Sequence, residues 1–385
     1  MNADDAWKEF CEADDADFTN GNGIENGNPA ITPKRGKMIM PVMDEAPECS
    51  PIYISTKTKI GYLNQQIPLE EMFWAIDVLD SYATPTIGIV KKEMKFKTTT
   101  KEALDVLLER IDNIPSGPFV QQSVKTHMDG DTNMKFKDIR KVSVGLCKKQ
   151  LTSFRSKTKG AFFNCFAVIL RLQWEGQFKE MHVKVFNTGK LEIPGIPGVN
   201  TDKFLEAVLT CLVQCLRTVS DKLSLEKELD YVQDYNETVL TNSNFSANYL
   251  IDRERLTQIL RQHYRILTTY DPCSYPGVQS KFYYVEDRNI QDGRPLSESE
   301  LQAELGENGT KHIVVPVMIF RTGSVLIVGK FDDDVLIWVY EFIKRVLKEQ
   351  YANIQAGIVI EDDTVDVQPR KSKKRFISIT QSYTD

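Results

Sequence analysis

The stretch VFNTGKLEIPGI at 185–196 is written again, on the same plan, as IFRTGSVLIVGK at 319–330. Each copy sets an aliphatic residue and Phe before a polar residue, Thr and Gly, then a short β-prone run. Thr-Gly between two apolar runs reads as a tight turn in which glycine is free to take φ > 0. The surroundings are duplicated as well. A strand pattern at 51–63 and a helical one at 69–82 lead to strands at 161–174 and 177–187, the first copy, and an amphipathic helix over 202–219. A strand at 237–251 and a helix at 253–264 lead to strands at 276–287 and 311–320, the second copy, and a helix over 332–351. The order strand–helix–strand–strand–strand–helix therefore occurs twice. It predicts two similar units joined edge to edge in one sheet, with helices on the same side. The opposite face is then uncovered, and aromatic or apolar residues there mark a binding surface.

Charge distribution matters more than net charge. The chain of 385 residues carries −6, which argues against a polyanionic partner. Yet residues 1–50 hold 11 of the 54 Asp and Glu and only 4 of the 48 Lys and Arg. That stretch reads as an acidic tail, too poor in apolar residues to fold alone. The remainder is close to neutral. Residues 83–158 read as an insertion with a strand at 86–98, a helix at 101–111 and a strand at 134–146. Its VKKEMKFK and MKFKDIRK alternate basic with apolar residues, as a solvated strand face or a further nucleic-acid surface would. Residues 285–310 enlarge one loop, and 355–385 form a charged tail containing RKSKKRF (370–376). That cluster fits a nuclear import signal, a phosphate-binding tail or solubilising charge.

Catalysis and metal binding find little footing. Seven cysteines occur without a CxxC spacing, and Cys211 and Cys215 share one helix face as core residues. Asp332, Asp333 and Asp334 stand where a helix start favours acid, which is preferred here over a metal site. No GxSxG, HExxH or phosphate-binding loop is present, so the expectation is no catalytic residue, metal or cofactor. No signal-peptide pattern opens the chain and no apolar run reaches roughly 18 residues, so an intracellular protein is expected.

At VKVFNTGKLEIPG, VMIFRTGSVLIVG and YDPCSYPGVQSKF (270–282) the sequence resembles the TATA-box-binding protein (TBP) family. Its tail and extra segments are most similar to the TBP-like proteins of large nucleocytoplasmic DNA viruses. The resemblance spans roughly 51–82 and 159–350. It implies an α+β fold of two TBP-like repeats, 51–220 with the insert 83–158 and 221–354 with the enlarged loop 285–310. These would form a pseudo-twofold saddle: a curved antiparallel sheet with helices on its convex face, plus an inserted α/β segment. The implied function is a transcription initiation factor that binds and bends double-stranded promoter DNA through the minor groove. Its convex helices, 202–219 and 332–351, would recruit general transcription factors or RNA polymerase subunits, in a host nucleus or a cytoplasmic virus factory.

The resemblance also implies site residues. The family's wedge aromatics fall on Phe186, Phe320 and Tyr275. In the first repeat the fourth wedge falls on Cys165, with Phe163 and Phe166 as the nearby aromatics. Six residues beyond Cys165 and Tyr275, phosphate-contacting positions fall on Arg171 and Lys281. Lys184 shares a face with Phe186, and Leu326 and Val328 supply the groove floor. Glu192 and Pro194 occupy the floor in the first repeat, where a carboxylate would oppose DNA. The family's central Asn is displaced to Asn242 and Asn244, and the first repeat offers Ser55, Lys57 and Lys59 instead. Two other readings stay open: a saddle-shaped protein–protein scaffold of a viral transcription apparatus without TATA-specific binding, and an accessory domain of a nucleic-acid-processing enzyme. Phe186 and Phe320 could also be ordinary core aromatics.

Overall fold

A computed structural model describes residues 45–79, 85–115, 117–129, 135–152, 163–220, 223, 225, 227–286, 291–300 and 312–356. The acidic tail up to residue 44, the RKSKKRF cluster and residues 301–310 of the enlarged loop lie outside them. In chain order the elements are β1 (Tyr53–Tyr62), α1 (Leu69–Ala75), β2 (Gly88–Thr98), α2 (Lys101–Asp112), β3 (Val120–Met128), β4 (Lys137–Gly145) and α3 (Lys148–Thr152). There follow β5 (Cys165–Trp174), β6 (Gln177–Phe186), β7 (Lys190–Pro197), α4 (Thr201–Ser220), β8 (Glu237–Ser246), α5 (Arg253–Gln262) and β9 (Leu267–Thr269). The chain continues through β10 (Val278–Val285), β11 (His312–Ile319), β12 (Ser324–Gly329), α6 (Asp333–Glu349) and α7 (Tyr351–Ile354).

The fold is α+β, built on one antiparallel sheet of order β3-β4-β2-β5-β6-β7-β1-β8-β12-β11-β10-β9. Its middle is the β1–β8 pair. Outward from that seam the order is β7, β6, β5, β2 on one side and β12, β11, β10, β9 on the other. Strand β2, within the stretch read as an insertion, thus occupies the place that β9 holds in the second half. Strands β3 and β4 lie beyond it and lengthen the sheet at that end. Strand β3, VQQSVKTHM, carried no strand expectation because it has no apolar alternation; pairing with β4 makes it one.

Alternation decides the two faces of the sheet. Phe166, Val168, Leu170 and Leu172 of β5, with Met181, Val183 and Val185 of β6, enter a core with Phe204, Val208, Leu212 and Leu216 of α4. In the second half Val315, Val317, Ile319, Val325 and Ile327 pack with Val339, Ile343, Val346 and Leu347 of α6. Fully burying each such side chain contributes roughly 1.5–3 kcal/mol, so a register slip of one residue would forfeit an entire face.

The doubled motif folds the same way twice. Gly189 and Gly323 have φ of 83° and 82°. Each donates its N–H to the carbonyl of the preceding Phe, Phe186 or Phe320, at 3.0 Å. Each turn is also docked on the chain leaving the adjacent seam strand: Leu63 N donates to Gly189 O, and Ala247 N to Gly323 O, both at 2.8 Å.

One helix stops early. Spacing predicted α1 to residue 82, but it ends at Ala75. The Lys92 ammonium, reaching up from β2, donates to the carbonyls of Phe73 at 2.7 Å and Ile76 at 2.6 Å. A cation suits these C-terminal carbonyls, and the ammonium also lies 4.9 Å from the Phe73 ring centroid. Burial pushes the Lys92 pKa down to about 8, against the pull of Asp77. The folded state therefore releases this proton before the unfolded state does. Wild-type stability should rise relative to Lys92→Met as pH climbs from about 8 toward about 10, because the unfolded chain then binds more protons. Thermal unfolding of both proteins across that range checks this; a constant gap between them would refute it.

Candidate functional site

On the face opposite the helices, the second half carries an apolar patch. Met318, Leu326 and Val328 form its buried floor, with half-buried Leu240, Tyr275 and Phe320 packed against it. No residue of a described helix belongs to this cluster. The Tyr275 and Phe320 rings lie side by side, centroids 6.0 Å apart, and the Tyr275 hydroxyl donates to Met318 Sδ at 3.3 Å. Gly277 permits this approach, since a Cβ there would stand 3.0 Å from both rings. Leu326 and Val328 lie opposite Asn244 and Asn242 on β8. Both Asn side chains therefore reach the same face at the seam. Asn242 Oδ1 is buried without a hydrogen-bond partner. Lys281, on β10, faces the same way because Val278 and Phe282 point to the core.

The corresponding surface of the first half is polar and tied up in ion pairs. Phe186, half-buried, stands opposite buried Cys165, and the Lys190 ammonium lies 5.6 Å from its ring. Arg171 faces this surface, but its Nη2 donates to Glu180 Oε1 at 2.9 Å and the residue is only 8% exposed. Lys184 Nζ donates to Glu192 Oε1 at 2.5 Å. The acid that sequence reasoning set against DNA is therefore neutralised by the base set in favour of it. Glu180 was missed, although a signal existed. Glu175-Gly176, both with φ > 0, make a two-residue hairpin turn, and counting outward from it pairs Arg171 with Glu180.

Two expectations are corrected. Phe166 is fully buried in the helix-side core, because it shares parity with Val168 and Leu170. Phe163, ahead of β5, is instead 46% exposed, with the Lys95 ammonium 4.4 Å from its ring centroid. Lys57 and Lys59 do not share a face with the Asn residues. Register shifts in β1 near Lys57 and Lys59 turn them to the helix side. Lys59 Nζ there donates to Asn236 Oδ1 at 2.8 Å and contacts Asp202 of α4. Lys57 lines a cavity of about 360 Å³ with Thr238, Thr241, Phe331 and Asp332–Asp334. Asp332 is the N-cap residue of α6, though its side chain makes no capping bond, while Asp333 and Asp334 lie in the first turn. Among the described residues no group of three His, Cys, Asp or Glu side chains is arranged to hold a metal. None of the described helices is long and apolar enough to cross a membrane.

No family profile matches the chain. Among curated proteins it is similar to the TATA-box-binding protein-like protein of Acanthamoeba polyphaga mimivirus, 23% identical over 211 residues, 53% of this chain and 52% of that protein. The chain thus spans about half the length of the curated relative it matches. Among solved structures, TBP from Methanococcus jannaschii aligns at 12% identity with a TM-score of 0.35, over 79% of this chain and 99% of that one. The chain is thus similar, over about half its length, to a TATA-box-binding protein-like protein.

The two faces make a direct prediction. Phe166→Ala should cost about 3–5 kcal/mol of stability, as deletion of a fully buried Phe does. Phe186→Ala should cost about 1 kcal/mol, for partial burial. Chemical denaturation of both variants checks this, and equal losses would contradict the assigned faces.

Proposed function

We propose that the chain is a transcription initiation factor that binds promoter DNA across the helix-free face of its sheet and bends it through the minor groove. The observation that carries this reading is the paired Tyr275 and Phe320 over an apolar floor, on a face that no described helix covers. Aromatic side chains of this kind can enter between base steps, and unstacking of a few kcal/mol per step is offset by the surface that a bent duplex wraps. The likeness to a TATA-box-binding protein-like protein supports the same reading. The two halves about the β1–β8 seam are then two TBP-like repeats of one saddle. Asn242 and Asn244 serve the central base edges and Lys281 a phosphate, while Arg171 would reach a phosphate only by leaving Glu180. Recognition is chiefly of A·T over G·C and of deformable TA steps, since the minor groove offers a degenerate code. Helices α4 and α6 face the transcription machinery, and Ile337 and Trp338 of α6, half exposed, suit such a partner.

A second reading, a protein–protein scaffold without TATA-specific binding, is favoured by one observation. The first-half bases Arg171 and Lys184 are already paired with Glu180 and Glu192. Fluorescence anisotropy with a TA-rich and a G·C-rich duplex, at two salt concentrations, separates the readings. The DNA reading expects a TA-rich preference. Tyr275→Ala/Phe320→Ala, verified as folded, should bind at least about tenfold more weakly, a loss of about 1.4 kcal/mol. Equal affinity for both duplexes, unchanged in the variant, would favour the scaffold.

A further inference from the structure

We propose that β2, β3 and β4 carry a second DNA contact. It is a lysine strip on the helix-free face that tracks phosphates of the same duplex beyond the repeats, at the first-half end only. This rests on the DNA reading above. The strip follows from alternation and register. Lys92, Met94 and Phe96 of β2 turn toward the helices, where Met94 and Phe96 enter the core and Lys92 reaches α1. Lys91, Glu93, Lys95 and Lys97 therefore face the other way. On β4, Val142 and Val144 belong to the core, which turns Lys137, Ile139 and Lys141 to the strip. The register sets Lys95 directly opposite Lys141 and Lys97 opposite Ile139. Lys125 sits at the irregularity of β3 between Val124 and Thr126, near enough to Lys141 to act on its charge.

Six lysines thus lie on this face: Lys91, Lys95, Lys97, Lys125 and Lys137 reach its surface, and Lys141 is buried beneath them, 2% exposed. Among the described residues of these strands, Glu93 is the one carboxylate on that face. It is shared between Lys91 at 3.1 Å and Lys141 at 3.0 Å. Burial, with Lys91 and Lys125 nearby, holds Lys141 below the usual lysine range against the pull of Glu93. Like charges directly opposite on neighbouring strands are destabilising, so this arrangement is a cost to the free protein. A plain solvated face would mix signs, as α2 does with Lys101, Glu102, Asp105, Glu109 and Arg110. Nor do most of the lysines merely guard a sheet edge against pairing, since all but Lys125 of the edge strand β3 lie on the interior strands β2 and β4. A positive cluster on a chain of net charge −6 creates a local field for a polyanion.

Dimensions give the extent. Strands lie about 4.8 Å apart, so β4 and β3 add about 10 Å beyond β2. A duplex has one phosphate per strand about every 3.4 Å, which makes this about three base pairs.

The test uses the full chain with Lys95→Gln/Lys97→Gln/Lys125→Gln and, as a charge-retaining control, the three corresponding Lys→Arg changes. In the Gln variant, the slope of log affinity against log salt should fall by about 2.7, at about 0.9 per phosphate contact. The hydroxyl-radical footprint should shorten by about three base pairs on one side, while preference for TA-rich DNA persists. The Arg variant should keep the wild-type slope and footprint. An unchanged slope and footprint in the Gln variant would overturn the strip while leaving the Tyr275/Phe320 reading intact. Absence of duplex binding by the wild type would overturn both. Weakened binding of a peptide of residues 1–50, with duplex binding unaltered, would assign the strip to the acidic tail and overturn its DNA role.

Discussion

Two left-handed glycines hold the frame on which everything else depends. At Gly189 a Cβ would stand 2.5 Å from the Gln65 carbonyl oxygen, and at Gly323 2.3 Å from that of Tyr249. No side chain fits there, and φ near +83° disfavours one in any case. Each turn can therefore press its backbone onto the segment that leaves a seam strand. That contact ties the β6–β7 hairpin to β1 and the β11–β12 hairpin to β8. Once tied, each hairpin has one register, and Phe186 and Phe320 stand at equivalent strand ends facing away from the helices.

From this shared frame the halves diverge in chemistry. The second half spends its helix-free face on apolar contact, with Tyr275 and Phe320 resting on Met318. The first half fills the equivalent area with Arg171–Glu180 and Lys184–Glu192. Ion pairs so little exposed lose hydration and recover it only through good geometry. Their weight lies in fixing where charge sits. The face as a whole runs from apolar at one end, through two amides at the seam, to lysine-rich at the other.

Much of this was legible beforehand because alternation and turn chemistry are local. The two turns, the long strands, the covering helices and the shared face of Phe320, Leu326 and Val328 all follow from residues a few positions apart. The misreadings came where a distant partner intervenes. Lys92 ends α1 from another strand, so the helical spacing of 69–82 overran it. The shifts in β1 near Lys57 and Lys59 arise from pairing with β7 and β8, and they reverse a parity count that looks sound on paper. Strand β3 has no pattern of its own and exists through β4.

The sequence by itself determined that a strand–glycine turn–strand motif followed by a helix occurs twice, and which residues of most strands lie together. Those properties reside in periodicity and in residues that tolerate φ > 0. Tertiary structure alone decided which acid neutralises which base and that Tyr275 packs beside Phe320. It also decided that lysines scattered over 91–141 share one face of the sheet with the apolar patch. The reason is that side-chain contacts across a sheet depend on inter-strand register, which is set by the simultaneous burial of all strands and can be read from none singly.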